Sequence, residues 1–175
     1  MVSYVPTLNE MKATSENFWD RVIILVDMNC FFAQVEQQDN PFWRNRPVAI
    51  TNGKLGSTII TSSYEARAYG VKTGMRLKEA RELCPDLIQA PGRPHRYVEK
   101  STQIMQALEK ITPDLEIYSV DEAFLDVTMC QSLWGSPETI AKLVKKTVSD
   151  ASGLTCSVGV SGDRTTAKFA AKLVK

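Results

Sequence analysis

The stretch Arg21-Val22-Ile23-Ile24-Leu25-Val26-Asp27 decides how the rest of the chain is read. Apolar, mostly β-branched residues run unbroken and stop at a carboxylate, the pattern of a strand buried on both faces. Beyond it, residues 30–38 carry Phe31, Phe32 and Val35 at near-helical spacing, and Asn40-Pro41 ends that helix. Residues 48–51 and 57–61 read as strands around an Asn52-Gly53 turn. Ser62-Ser63-Tyr64-Glu65 has the Ser-x-x-Glu form of a capping box, opening a short helix that Gly70 ends. A helix over 77–84 and a short strand over 87–90 follow, closed by Pro91-Gly92.

Residues 94–110 have the periodicity of a long amphipathic helix. Two β runs, 115–120 and 123–127, meet tightly at Asp121-Glu122. Ser136-Pro137 starts a helix that Gly153 ends, with serine as cap and proline in the first turn. A strand over 154–161 and a helix over 164–175 complete the chain. With residues 48–92 set aside, the order is strand, helix, helix, strand, strand, helix, strand, helix. That is an α+β, ferredoxin-like plan carrying an insertion of about 45 residues. The last helix meets no cap or breaker, so the chain reads as a piece of a longer one. Residues 1–20 are polar and aperiodic and read as an extension outside the main core.

The 175 residues are 43% apolar and 23% charged, which excludes disorder, collagen and coiled coil as the main architecture. The aliphatic run at 22–26 falls far short of the ~20 residues of a membrane span. Glu10, Glu16 and Asp20 precede it with no apolar segment, unlike a secretory leader. No membrane partner is expected. The four cysteines form no C-x-x-C pair and His95 is the only histidine, so a Cys/His zinc site is excluded and a reducing compartment, the cytoplasm, is expected. His95 reads as a surface or helix-start residue, and Trp19, Trp43 and Trp134 as packing anchors. The net charge of +1 leaves no global footprint for nucleic acid. The segment 142–175, however, has seven lysines and arginines against Asp150 and Asp163. It reads as a solvated helix face or as a surface meeting phosphates.

The chemistry lies in the carboxylates. Asp27 ends the first strand, which the ferredoxin-like plan puts in the middle of the sheet. Asp121 and Glu122 interrupt an apolar hairpin, so the three acids can converge. Such a group repels itself unless a cation is present. Oxygen donors without nitrogen or sulfur point to Mg²⁺ or Mn²⁺, and two such ions can clamp the attacking and leaving oxygens of a phosphoryl transfer.

Four segments then resemble, in order, the motifs of Y-family translesion DNA polymerases, with the DinB, DNA polymerase IV-like branch the nearest in pattern. Val26-Asp27-Met28-Asn29-Cys30-Phe31-Phe32-Ala33-Gln34-Val35-Glu36 is similar to the opening motif. Ser63-Tyr64-Glu65-Ala66-Arg67-Ala68-Tyr69-Gly70-Val71 is similar to the fingers motif. Ser119-Val120-Asp121-Glu122-Ala123-Phe124-Leu125-Asp126 is similar to the second catalytic motif. Ser157-Val158-Gly159-Val160-Ser161 with Ala167-Lys168-Phe169-Ala170 is similar to the last palm motif.

The resemblance implies an α+β fold, a ferredoxin-like polymerase palm (21–51 and 93–175) with a small fingers insertion (52–92), the thumb and little finger being absent. It implies that Asp27, Asp121 and Glu122 are catalytic and hold two Mg²⁺ ions (or Mn²⁺), with the Met28 carbonyl completing one site. It assigns Phe32 as a steric gate against the ribose 2′-hydroxyl, Phe31 as an aromatic beneath the nucleotide, and Tyr64, Arg67 and Lys168 as triphosphate contacts. The partners implied are primer–template DNA, deoxynucleoside triphosphates and a sliding clamp engaged through the absent C-terminal region. Where the family has a second Asp, this chain has Asn29, which keeps size and hydrogen bonding but drops a charge. Two other readings are a non-catalytic polymerase-like module that binds DNA or protein, and a nucleotide cyclase, which has a similar palm; Tyr64, Arg67 and the Phe31-Phe32 pair favour the polymerase.

Overall fold

The computed structural model describes residues 2–3 and 19–173, and the backbone alone at 2–3. The chain forms two compact units, residues 1–29 with 101–175, and residues 30–100.

The first unit is built on a five-stranded sheet of β1 (Val2–Ser3), β2 (Ile23–Met28), β6 (Leu115–Ile117), β7 (Glu122–Asp126) and β8 (Cys156–Ser161) in the order β1-β8-β2-β7-β6. β2 is antiparallel to both β7 and β8, and β6 to β7. Without β1 this is the strand order of a ferredoxin-like sheet, as the element order in the sequence implied. All six residues of β2 are buried, so the strand is covered on both faces. Each aliphatic side chain so buried contributes roughly 1.5–3 kcal/mol.

Ile23, Leu25 and Phe124 pack on Ala167 and Ala171 of α7 (Arg164–Lys172). α6 (Pro137–Ser152) packs on β8 as well. Ser136 accepts a hydrogen bond from the Thr139 amide at the start of α6, and Gly153 (φ 70°) ends it in the left-handed conformation. Asp163 caps α7 by accepting from the Thr166 amide at 2.9 Å. α7 lies so close to β8 that a Cβ on Gly159 would stand 2.0 Å from the Ala167 carbonyl oxygen and 2.5 Å from the Ala171 amide. Gly159→Ala is therefore expected to destabilise the protein by about 3 kcal/mol or more, because backbone rather than a flexible side chain must give way. Urea denaturation reads this, and an unchanged midpoint would contradict the close packing.

The second unit holds a sheet in the order β4 (Ile59–Ser62), β3 (Val48–Thr51), β5 (Ile88–Pro91), with β3 antiparallel to β4 and parallel to β5. One face is packed by Ala49, Ile59, Ala66, Leu77 and Ala80, the last three from α2 (Tyr64–Ala68) and α3 (Leu77–Leu83). The other takes Val48, Ile50 and Ala90 against Ala33 of α1 (Phe31–Asp39). This unit is wider than the insertion at 52–92 because β3, before the insertion, pairs with β4 and β5 inside it. α4 (Pro94–Leu108) contains the sequence position where the units divide.

Several expectations shift in detail. The Ser62–Glu65 capping box does not form. Ser63 is the cap of α2, accepting from the Ala66 amide at 3.3 Å, while Glu65 accepts from Gln37. β6 stops at Ile117, because the amides of Tyr118 and Ser119 both turn onto the Glu122 carbonyl. The short helical turns at Pro41–Trp43 and Thr128–Cys130, and α5 (Gln131–Trp134), carry no sequence period long enough to be read. Val2–Ser3 adds a parallel edge strand to β8, and residues 4–18 of the N-terminal extension lie outside the described residues.

Candidate functional site

Strand register brings the acids of the first unit together. Along β2, Ile23 and Leu25 face α7, and alternation puts Asp27 on the same face at the end of the strand. Asp27 pairs directly with Glu122 of β7 on one side and Ser157 of β8 on the other. Directly paired side chains stand roughly 4.5–5.5 Å apart at Cβ, so two carboxylates there repel unless positive charge balances them. Asp27 is 5% exposed, which removes most of the water that would screen it. Asp121 precedes β7, and its carbonyl accepts the Met28 amide hydrogen at 2.9 Å. Its carboxylate accepts from the Ser119 hydroxyl at 2.7 Å. Ser119 holds Asp121 in place, a role foreshadowed only by its position two residues earlier.

Positive charge is supplied from α7. The Lys168 ammonium lies 3.0 Å from both Glu122 oxygens and 4.3 Å from the centre of the Tyr118 ring. Asn29 keeps the end of β2 tied to β8, donating to Thr155 at 3.1 Å and accepting from Ser157 at 2.8 Å. Its departure from the acidic family pattern thus leaves a hydrogen-bonded tether. Burial pushes the nearby Cys156 thiol up to about 12, so it remains protonated and is a poor metal ligand. The four cysteines are free.

The donors suit a hard divalent cation in kind and in strand register. As placed, no three Asp, Glu, His or Cys side chains among the described residues stand close enough to hold an ion. Glu122 is engaged by Lys168 and Asp121 by Ser119, so the group is poised rather than assembled.

The remaining residues singled out from the sequence lie in the second unit. Phe31 is buried at the start of α1, and half-buried Phe32 stacks on Tyr97 with ring centres 4.2 Å apart and planes 17° apart. Tyr64 and Arg67 are exposed on α2. The Arg67 guanidinium donates to the Ser62 carbonyl at 3.1 Å, lies 5.4 Å from the Tyr64 ring centre and makes no ion pair among the described residues. Its other donors are available to an anion.

An ionic network built around the buried Glu36, not anticipated from the sequence, completes this unit. Glu36 accepts from Arg93 at 2.9 and 3.0 Å and from the Tyr97 hydroxyl at 2.8 Å. Asp39 accepts from Arg93 and Arg96 at 2.7–2.9 Å. The Arg96 hydrogen bonds, foremost, lower Asp39 to about 2 from the ordinary 3.8. Because the folded value lies below the unfolded one, this stabilisation is complete above about pH 4 and is lost as pH falls toward 2. Thermal melts between pH 5 and 2.5 are expected to lose less stability in Asp39→Asn than in the natural protein. Identical acid slopes would contradict the pairing.

Sheet order, strand-end acids and a cationic α7 define a class, the Y-family polymerase catalytic fold. The crystal structure of DinB from Sulfolobus solfataricus superimposes with a TM-score of 0.80 at 33% identity, covering 87% of this chain and 45% of that one. An insertion ternary complex of Dbh DNA polymerase superimposes at 0.79 with 34% identity, covering 88% and 46%. The chain belongs to the impB/mucB/samB family, whose profile matches residues 26–172. It is 42% identical over 151 residues to the DNA polymerase IV of Treponema denticola and 42% over 159 residues to that of Moorella thermoacetica. Those matches cover 86% and 89% of this chain but 38% and 40% of the relatives, so the chain spans about two fifths of their length.

Proposed function

We propose that this chain is the palm (21–51 and 93–175) and fingers (52–92) of a template-directed, translesion-type DNA polymerase. The reaction joins a primer 3′-oxygen to the α-phosphorus of a deoxynucleoside triphosphate and breaks the bond to pyrophosphate. The observation that carries the reading is the register that sets Asp27 opposite Glu122 while the Asp121 carbonyl is hydrogen-bonded to the next residue of β2. The relatives named DNA polymerase IV support it.

Asp27, Asp121 and Glu122, with the Met28 carbonyl, would hold two Mg²⁺ ions, or Mn²⁺. Bound there, such ions favour the ionised primer hydroxyl and neutralise charge on the phosphates. Within its unit, Arg67 is suited to bidentate contact with phosphate oxygens, with Tyr64 beside it, and Lys168 of the other unit is suited to a point contact. Phe32 closes the space that a 2′-hydroxyl would need, above Phe31. The partners are primer–template DNA, deoxynucleoside triphosphates and a sliding clamp bound through further chain. The free thiols support a reducing setting, the cytoplasm.

One observation favours a second reading, a polymerase-like module that binds DNA or protein without catalysis. Lys168 and Ser119 already engage two of the acids. Primer extension by this chain with Mg²⁺ or Mn²⁺ separates the two. Template-dependent addition supports the polymerase, and its absence at high enzyme concentration contradicts it.

A further inference from the structure

Glu36 is a carboxylate at 4% exposure that the proposed chemistry does not use. Burying it is costly, and an apolar side chain of similar volume commonly stabilises a fold as well or better. Its surroundings suggest what it holds. Phe32 and Glu36 are one turn apart on α1 and therefore share a face. Arg93 and Tyr97 are likewise four residues apart, at the start of α4. The two pairs clasp side by side: Phe32 stacks on Tyr97 at 4.2 Å, and Glu36 is gripped by Arg93 through contacts of 2.8–3.0 Å. The Tyr97 hydroxyl, donating to Glu36 at 2.8 Å, links the clasps. Burial above all raises the Tyr97 phenol beyond its ordinary range, so it stays a donor. Asp39 and Arg96 extend the network behind Arg93. A stacked ring alone can slide over its partner. A phenol tied to a carboxylate that is itself held by a guanidinium cannot.

We propose that Glu36, anchored by Arg93, is a positioning residue that acts through Tyr97 to set the height of the Phe32 ring, and with it the discrimination between deoxyribose and ribose. This rests on the reading of Phe32 as the surface beneath the sugar. Loss of the Tyr97–Glu36 hydrogen bond leaves Phe32 present but free to shift, which admits the 2′-hydroxyl part of the time.

The test titrates the chain, with a dideoxy-terminated primer–template and Mg²⁺, against a complementary deoxynucleoside triphosphate and its ribonucleotide counterpart. The ratio of the two affinities is compared in Tyr97→Phe, Glu36→Gln, Phe32→Ala and the double variant Phe32→Ala/Tyr97→Phe. Tyr97→Phe keeps the stacked ring and is expected to lower the ratio about 5–10-fold with deoxynucleotide affinity changed less than about 2-fold. Glu36→Gln is expected to do the same, and the double variant to match Phe32→Ala, because the tyrosine then has nothing to position. General loosening of the fold would weaken both nucleotides and leave the ratio alone. Ratios like the natural protein's in Tyr97→Phe and Glu36→Gln, with discrimination lost in Phe32→Ala, would overturn the positioning role while leaving the gate standing. An unchanged ratio in Phe32→Ala, or no binding of either nucleotide, would overturn the gate and this inference with it.

Discussion

Primer extension is expected to fall on the order of 10²–10³-fold when Asp121 becomes Asn, a loss of about 3–4 kcal/mol of transition-state stabilisation. Asn keeps the size of the side chain and an oxygen that accepts from Ser119, now at 2.7 Å. The Asp121 carbonyl that receives the Met28 amide is backbone and survives the change. What disappears is one negative charge beside Glu122. Melting temperature is accordingly expected to hold or rise slightly, since like-charge repulsion is relieved. Activity and stability thus move in different directions, which a simple loss of fold cannot produce. Equal extension by Asp121→Asn and the natural protein would remove these acids from the mechanism.

The second large effect is on sugar choice. Phe32→Ala deletes a ring that is stacked on Tyr97 and 5.6 Å, centre to centre, from Phe31. Phe31 is buried, whereas Phe32 is only partly buried and keeps accessible ring surface. A steric barrier of this kind separates two sugars by a few kcal/mol, so ribonucleotide insertion relative to deoxyribonucleotide is expected to rise on the order of 10²-fold. Single-turnover insertion with matched nucleotide pairs measures it. Sugar selectivity left intact would defeat the assignment of Phe32.

Strand alternation carried much of this architecture. The unbroken apolar run of β2 required burial on both faces, and only a central strand has that. The carboxylate at its end and the Asp-Glu pair in a hairpin then had to lie near one another once β2 was flanked by β7 and β8. The engagement of those acids was not legible. The Lys168–Glu122 pair joins residues 46 apart, and it forms because Gly159 lets α7 settle onto β8. No local pattern encodes such an approach. β6 ended early because the Tyr118 and Ser119 amides both turned onto the Glu122 carbonyl, a local closure of the hairpin that propensity alone misses. Glu36 was hidden for the opposite reason: in Val35-Glu36-Gln37-Gln38 it looks like part of a solvated helix face. Its burial depends on Arg93 and Tyr97, some sixty positions away in sequence.

The most direct measurement is a crystal of this chain grown with Mn²⁺ and a deoxynucleoside triphosphate, with the metal located by its anomalous scattering. The expected result is Mn²⁺ about 2.1–2.2 Å from carboxylate oxygens of Asp27 and Glu122, with Lys168 moved off Glu122 toward phosphate. Lys168 still seated on Glu122, with Mn²⁺ bound elsewhere or on the phosphates alone, would contradict the account.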